Sequence, residues 1–105
     1  MTDENPIARC AYFIIRAKPA KFPGDARFGL VATKKTFRFA VQRNLAKRKL
    51  RDWIRFAGDD ALNPAADYVF IARRAILDAA RDDGRDAMVR ALRFMKHEYE
   101  RSIKK

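Results

Sequence analysis

The sequence predicts an α+β fold, an α-β sandwich in which one small sheet packs against helices in the order β-β-α-β-α. Three observations predict it. Cys10 to Ala17 alternates in polarity and Tyr68 to Ala72 (YVFIA) is a short apolar run, both in the manner of strands. Arg38 to Arg55 runs without Gly or Pro and repeats every three to four residues, and Arg85 to Lys104 carries a second stripe of that helical period. Runs of strand period mixed with runs of helical period give layered architectures of helix on sheet.

In chain order, residues 1 to 9 carry neither period, and with Pro6 and the polar opening MTDEN they are expected to hold little structure. In the first strand Ala11, Phe13 and Ile15 fall on one side and Tyr12, Ile14 and Arg16 on a wetter one. Lys18 to Asp25, with Pro19, Pro23 and Gly24, reads as the turn into a second strand, Arg27 to Thr33, and the two strands read as a hairpin. Gly29 within that strand points to a bulge or to a closely approaching backbone.

The helix follows, with Thr36 as the best available N-cap and Gly58 as the residue that ends it. Wound at 100° per residue, Ala46, Leu50, Trp53, Ile54 and Ala57 share one arc and face the core. Lys47, Arg48, Arg51 and Arg55 share the adjacent arc, with Asn44 inside it and Arg43 at its start. Asp59 to Asp67 reads as loop around Pro64, YVFIA as a strand covered on both faces or in a sheet interior, Arg73 and Arg74 as added positive surface, and Ala75 to Ala80 as a short helical turn. In the last helix Met88, Ala91, Leu92, Met95, Tyr99 and Ile103 form the apolar stripe.

At 105 residues the chain is a single domain, residues 1–105, large enough to bury roughly 65% of its unfolded surface. Its longest apolar run, Cys10 to Ile15, is far short of the ~20 residues of a membrane span, so a soluble protein is expected. The opening residues do not read as a signal peptide, and a single cysteine agrees with a reducing, cytoplasmic setting.

The formal net charge is +11, and Lys34 to Arg55 holds nine cationic side chains against the single acid Asp52. With no Glu four residues away to relieve it, such a cluster repels itself, and a polyanionic partner is the common reason to tolerate that. Nucleic acid is the partner this distribution predicts.

No catalytic kit accompanies the charge. The chain has one Cys (Cys10), one His (His97) and one Ser (Ser102) in separate elements, which leaves no nucleophilic triad and no spaced zinc ligands. His97 reads as a surface helix residue. The pairs Asp59-Asp60 and Asp82-Asp83 read as loop and capping acids, and Gly29 and Gly84 belong to no phosphate-binding loop. Neither catalytic nor metal-ligating residues are expected in the protein itself.

RFGLVATKK (Arg27 to Lys35), AVQRNLAKRKLRD (Ala40 to Asp52) and DYVFIARR (Asp67 to Arg74), in that order and spacing, resemble the protein subunit of bacterial ribonuclease P, over about residues 10 to 105. The resemblance implies an α-β sandwich with a left-handed βαβ crossover, and catalysis by the RNA subunit at magnesium ions that the RNA holds. It implies that Arg43, Asn44, Lys47, Arg48 and Arg51 contact the catalytic RNA, with Lys34 and Lys35 supporting from the strand end; Arg38 and Arg55 extend the same cationic surface. It also implies that Tyr12, Ile14 and Arg16 belong to a cleft for the single-stranded 5′ leader of precursor tRNA, where bases stack and phosphates are neutralised.

Two departures stand out. Leu45 occupies the third position of the family's Arg-Asn-Arg signature, so one RNA contact is weakened or is supplied by Lys49. The helix that usually precedes the first strand is missing from residues 1 to 9. The implied function is 5′ maturation of tRNA as the accessory subunit of an endoribonuclease, with catalytic RNA and precursor tRNA as partners and a monomer in the holoenzyme. A ribosomal or general RNA-binding structural protein is the alternative; a DNA-binding module and an independent nuclease are more distant ones.

Overall fold

Ala66–Ala72 is the strand around which the sheet is assembled. In the computed structural model, which describes residues 7–19, 27–58, 62 and 66–103, the elements are β1 (Ile7–Arg9), β2 (Phe13–Pro19), β3 (Arg27–Val31), α1 (Ala40–Ala57), β4 (Ala66–Ala72), a 3₁₀ turn (Arg74–Asp78) and α2 (Arg81–Ile103). The strands lie in the order β1-β2-β4-β3. β4 runs antiparallel to β2, from Phe13 opposite Ala72 to Pro19 opposite Ala66, and parallel to β3, from Arg27 opposite Asp67 to Val31 opposite Ile71. A parallel pair cannot be joined by a tight turn, and α1 is the crossover that joins this one.

The anticipated β2–β3 hairpin therefore does not form: β4 stands between the two strands. β4 is the more apolar element and gains cover at both edges by lying centrally, whereas β2 and β3 are joined by a long segment with no two-residue turn to fix a register. The hairpin that does form is β1–β2, and residues 7–9, expected to be unstructured, are one of its strands, with Ile7 opposite Arg16. Its reverse turn is closed by the Cys10 N–H donating to the Phe13 carbonyl at 3.0 Å.

Residues 1–6, most of the Lys18 to Asp25 turn and most of the Asp59 to Asp67 loop lie outside the described residues.

Both helices cover one face of the sheet. Phe13, Ile15 and Ala17 of β2 and Tyr68, Phe70 and Ala72 of β4 are buried beneath Ala46, Leu50, Trp53 and Ile54 of α1 and Met88, Leu92 and Met95 of α2. The apolar stripes read from both helices are thus core faces at Ala46, Leu50, Trp53 and Ile54 and at Met88, Leu92 and Met95, with Ala57 and Ala91 partly buried against them; the side chains of Tyr99 and Ile103 lie outside those described. Each large side chain so buried contributes about 1.5–3 kcal/mol of transfer free energy. Among the described residues no helix lies on the opposite face: Ile14, Arg16 and Lys18 of β2 lie there in register with Ile71, Val69 and Asp67 of β4.

Three local expectations are corrected. Thr36 does not cap α1; its N–H donates to the Thr33 hydroxyl oxygen at 3.2 Å in a turn, and the helix starts at Ala40, where the Gln42 side chain accepts the Phe39 N–H at 3.3 Å. At Gly29 the β3–β4 register is unbroken and an added Cβ would meet nothing within 4 Å, so neither a bulge nor a close backbone explains it. Asp82-Asp83 and Gly84 lie within α2, which starts four residues earlier than the period indicated; the two acids occupy its first turn, where the helix dipole favours them. Gly58, at φ 91, ends α1 as anticipated, donating to the Ile54 carbonyl at 3.2 Å.

Candidate nucleic-acid interface

The cationic flank of α1 is exposed because its opposite stripe is pinned. With Ala46, Leu50 and Trp53 at 0–1% exposure, the helix cannot roll, and Asn44, Arg48, Arg51 and Arg55 are held outward, Lys47 half-buried beside them. Lys34 and Lys35 sit exposed in the turn that leaves β3, and Arg38 follows them, its guanidinium 5.8 Å from the Phe39 ring centroid. Arg74 joins that turn by donating to the Thr36 carbonyl at 3.2 Å. Arg73 instead braces the β1–β2 bend, its side chain donating to the Cys10 carbonyl at 3.2 Å and its N–H to the Tyr12 carbonyl at 2.9 Å.

Two of the anticipated cations are otherwise employed. Arg43 is half-buried, and its Nη1 donates to the carbonyls of Phe37 and Arg38 at 2.9 and 3.3 Å, stitching the entry loop to the helix. Part of its fork remains for a partner. Lys49 is fully committed: Nζ donates to the carbonyls of Ile76, Leu77 and Ala79 at 2.9, 3.0 and 3.1 Å. An ammonium has three protons, and all three are used. Lys49 therefore does not stand in for the signature position held by Leu45, which is 38% exposed at the surface.

Asp52, the acid of the cluster, pairs with Arg85 of α2, accepting from Nε at 3.3 Å and from Nη2 at 3.2 Å. That hydrogen bonding, aided by the fields of Arg85, Arg81 and Arg55, holds its carboxyl below the ordinary value of 3.8.

The leader-cleft candidates divide. Ile14 and Arg16 share the helix-free sheet face, Arg16 exposed and Ile14 half-buried. Tyr12 does not share it: the residue lies in the bend before β2, and its ring stands 5.9 Å from that of Trp53, on the side of α1. A strand start placed three residues too early puts the alternation through a bend. The sequence reading also missed Lys18 and Val69, which adjoin Arg16 on the open face; a correct β2–β4 pairing is the signal that would have found them.

Among the described residues no helix is long and apolar enough to cross a membrane. A family model described as Ribonuclease P matches residues 3–96. The ribonuclease P protein component of Marinobacter nauticus is 33% identical over 90 residues, which cover 86% of this chain and 65% of that protein. The chain thus spans just under two thirds of the length of that relative. Among solved structures, the ribonuclease P protein of Staphylococcus aureus superimposes with a TM-score of 0.71 at 23% identity, covering 88% of this chain and 82% of that one. The ribonuclease P protein of Thermotoga maritima gives 0.70 at 21%, covering 86% and 83%. These two likenesses establish a common fold.

Proposed function

The chain belongs to the ribonuclease P protein family, and from that premise we propose that it is the protein component of a ribonuclease P, binding the catalytic RNA and the 5′ leader of precursor tRNA and assisting endonucleolytic removal of that leader. The observation that carries the reading is the α1 flank, where Asn44, Arg48, Arg51 and Arg55 face outward from a helix whose other side is locked in the core. Cations held in a fixed array neutralise phosphates without the entropy cost of ordering long flexible segments, and so let two RNAs approach.

On this reading the reacting groups belong to the RNA, and magnesium ions held by the RNA would supply activation of the attacking water. The protein's own work is electrostatic and positional. Its helix-free sheet face, with Ile14 and Val69 beside Arg16 and Lys18, is the surface offered to the single-stranded leader. The protein acts in the cytoplasm and as a monomer within the holoenzyme.

Reconstitution tests this. The chain added to a bacterial-type catalytic RNA at low magnesium is expected to stimulate leader removal, and Arg48→Ala with Arg51→Ala to abolish most of the stimulation. If Arg43, Lys47, Arg48 and Arg51 each neutralise one phosphate, log K falls with log salt at a slope of roughly −3 to −4. RNA binding without stimulated cleavage would favour a purely structural RNA-binding role; a slope near zero would sink both.

A further inference from the structure

Between α1 and the opening turns of α2 lies a groove of about 590 Å³, within the ~300–1,000 Å³ range of small-ligand sites. Arg48, Arg51 and Arg55 line it from α1, Arg81 and Arg85 from α2, and the buried Trp53 adjoins it between them. One carboxylate, Asp52, stands among these five guanidinium groups, and Arg85 occupies both of its oxygens. Arg85 is further fixed by Phe56, whose ring centroid is 4.6 Å from its Cζ. Within this lining Asp52–Arg85 is the ion pair at contact distance; Arg55 and Arg81 feel the Asp52 carboxylate only through space, and neither they nor Arg48 and Arg51 close an ion pair among the described residues. Four forked donors that close no ion pair among the described residues thus line one concave space from two elements, an arrangement suited to the tetrahedral oxygens of phosphate.

We propose that this groove is a two-helix phosphate clamp, in which Arg81 of α2 grips an RNA phosphodiester from the side opposite Arg48, Arg51 and Arg55 of α1. The proposal rests on the RNA-binding reading and deepens it: the RNA surface extends beyond the α1 flank onto α2. Arg85 is a positioning residue, neutralised by Asp52 and holding the two walls at their spacing.

Trp53 is the chain's single tryptophan, so its emission reports on the groove. Titration of the full chain with inorganic pyrophosphate is expected to change that emission saturably, with at least about fivefold weaker binding in Arg81→Ala. Arg81 is exposed at the first position of α2, so the variant keeps the fold, which its thermal transition verifies. Binding of ribonuclease P RNA and of precursor tRNA, measured separately against salt, identifies which RNA supplies the phosphodiester: Arg81→Ala lowers the slope for that RNA by about 1. Arg81→Lys retains the slope and loses part of the affinity, since it keeps the charge but not the fork. If Arg48→Ala lowers RNA affinity while Arg81→Ala leaves pyrophosphate and both RNA slopes unchanged, the clamp is refuted and the RNA-binding reading survives. If neither variant changes RNA binding, both fall.

Discussion

Gly84 of α2 and Trp53 of α1 share one volume: a Cβ on Gly84 would overlap Cε2, Cζ2 and Cη2 of the indole. Alanine in a helix interior gains about 0.8–1.0 kcal/mol over glycine in propensity, but overpacking of this kind costs about 1–3 kcal/mol. Gly84→Ala is therefore expected to destabilise the protein by up to about 2 kcal/mol in chemical denaturation. Trp53→Phe, combined with it, should recover part of the Gly84→Ala loss; equal losses in both backgrounds would refute the steric account.

Lys49 is expected to act on stability and not on RNA. Lys49→Met removes hydrogen bonds to the carbonyls of Ile76, Leu77 and Ala79 and should cost about 1.5–3 kcal/mol while leaving the salt slope for RNA binding unchanged. A change in slope of about 1 would return Lys49 to the RNA contacts.

Arg43 is expected to act on both. Its bonds to the Phe37 and Arg38 carbonyls hold the loop that enters α1, so Arg43→Ala should lower stability by about 1 kcal/mol and also weaken RNA binding. Arg48→Ala, at an exposed position, should weaken binding with stability unchanged. Thermal melts beside binding isotherms separate the two residues.

The Asp52–Arg85 pair makes stability depend on acidity in one direction. The folded carboxyl is held below 3.8, so the stabilisation is complete above that pH and disappears as pH falls through the lowered value. With the Asp52 side chain 42% exposed, solvent screening limits the effect to about 1 kcal/mol or less. Asp52→Asn should thus be slightly less stable than the parent at pH 7, with the difference shrinking as pH falls below 3.8; a difference independent of pH would assign the effect to something other than the charge.

Arg16 and Tyr12 should separate in their effects. Arg16→Ala, on the helix-free sheet face, is expected to weaken binding of a single-stranded leader several-fold without loss of stability. Tyr12→Ala, whose ring packs against Trp53, should cost about 1–2 kcal/mol instead. Leader affinity measured by competition with leaderless tRNA distinguishes them.

What the chain discloses before folding is governed by range. The core stripe and cationic flank of α1, the stop at Gly58 and the buried character of β4 are set by residues within one or two turns, and all are present in the structure. The β1–β2 hairpin was hidden because its turn, Cys10 to Phe13, contains no Gly, Pro, Asn or Asp. Gly84 concealed the first turn of α2 because a glycine signals a break, whereas here it admits the indole of a residue 31 positions earlier. At the site the same holds: the positions of the cations followed from helical periodicity, but the commitment of Lys49 to carbonyls near residue 77 and the pairing of Asp52 with Arg85 depend on how two distant segments dock.

The central place of β4 has a consequence for synthesis. Phe13 and Leu30 wait for partners at Ala72 and Phe70, so until the ribosome has released residue 72 the sheet consists of the β1–β2 hairpin and an unpaired β3. α1 emerges before the sheet on which it packs, with the cations of its flank already synthesised and its tryptophan uncovered. Closure across such sequence separations is slow relative to local pairing. Chains ending short of β4 should therefore accumulate as cationic, aggregation-prone fragments with β3 unpaired.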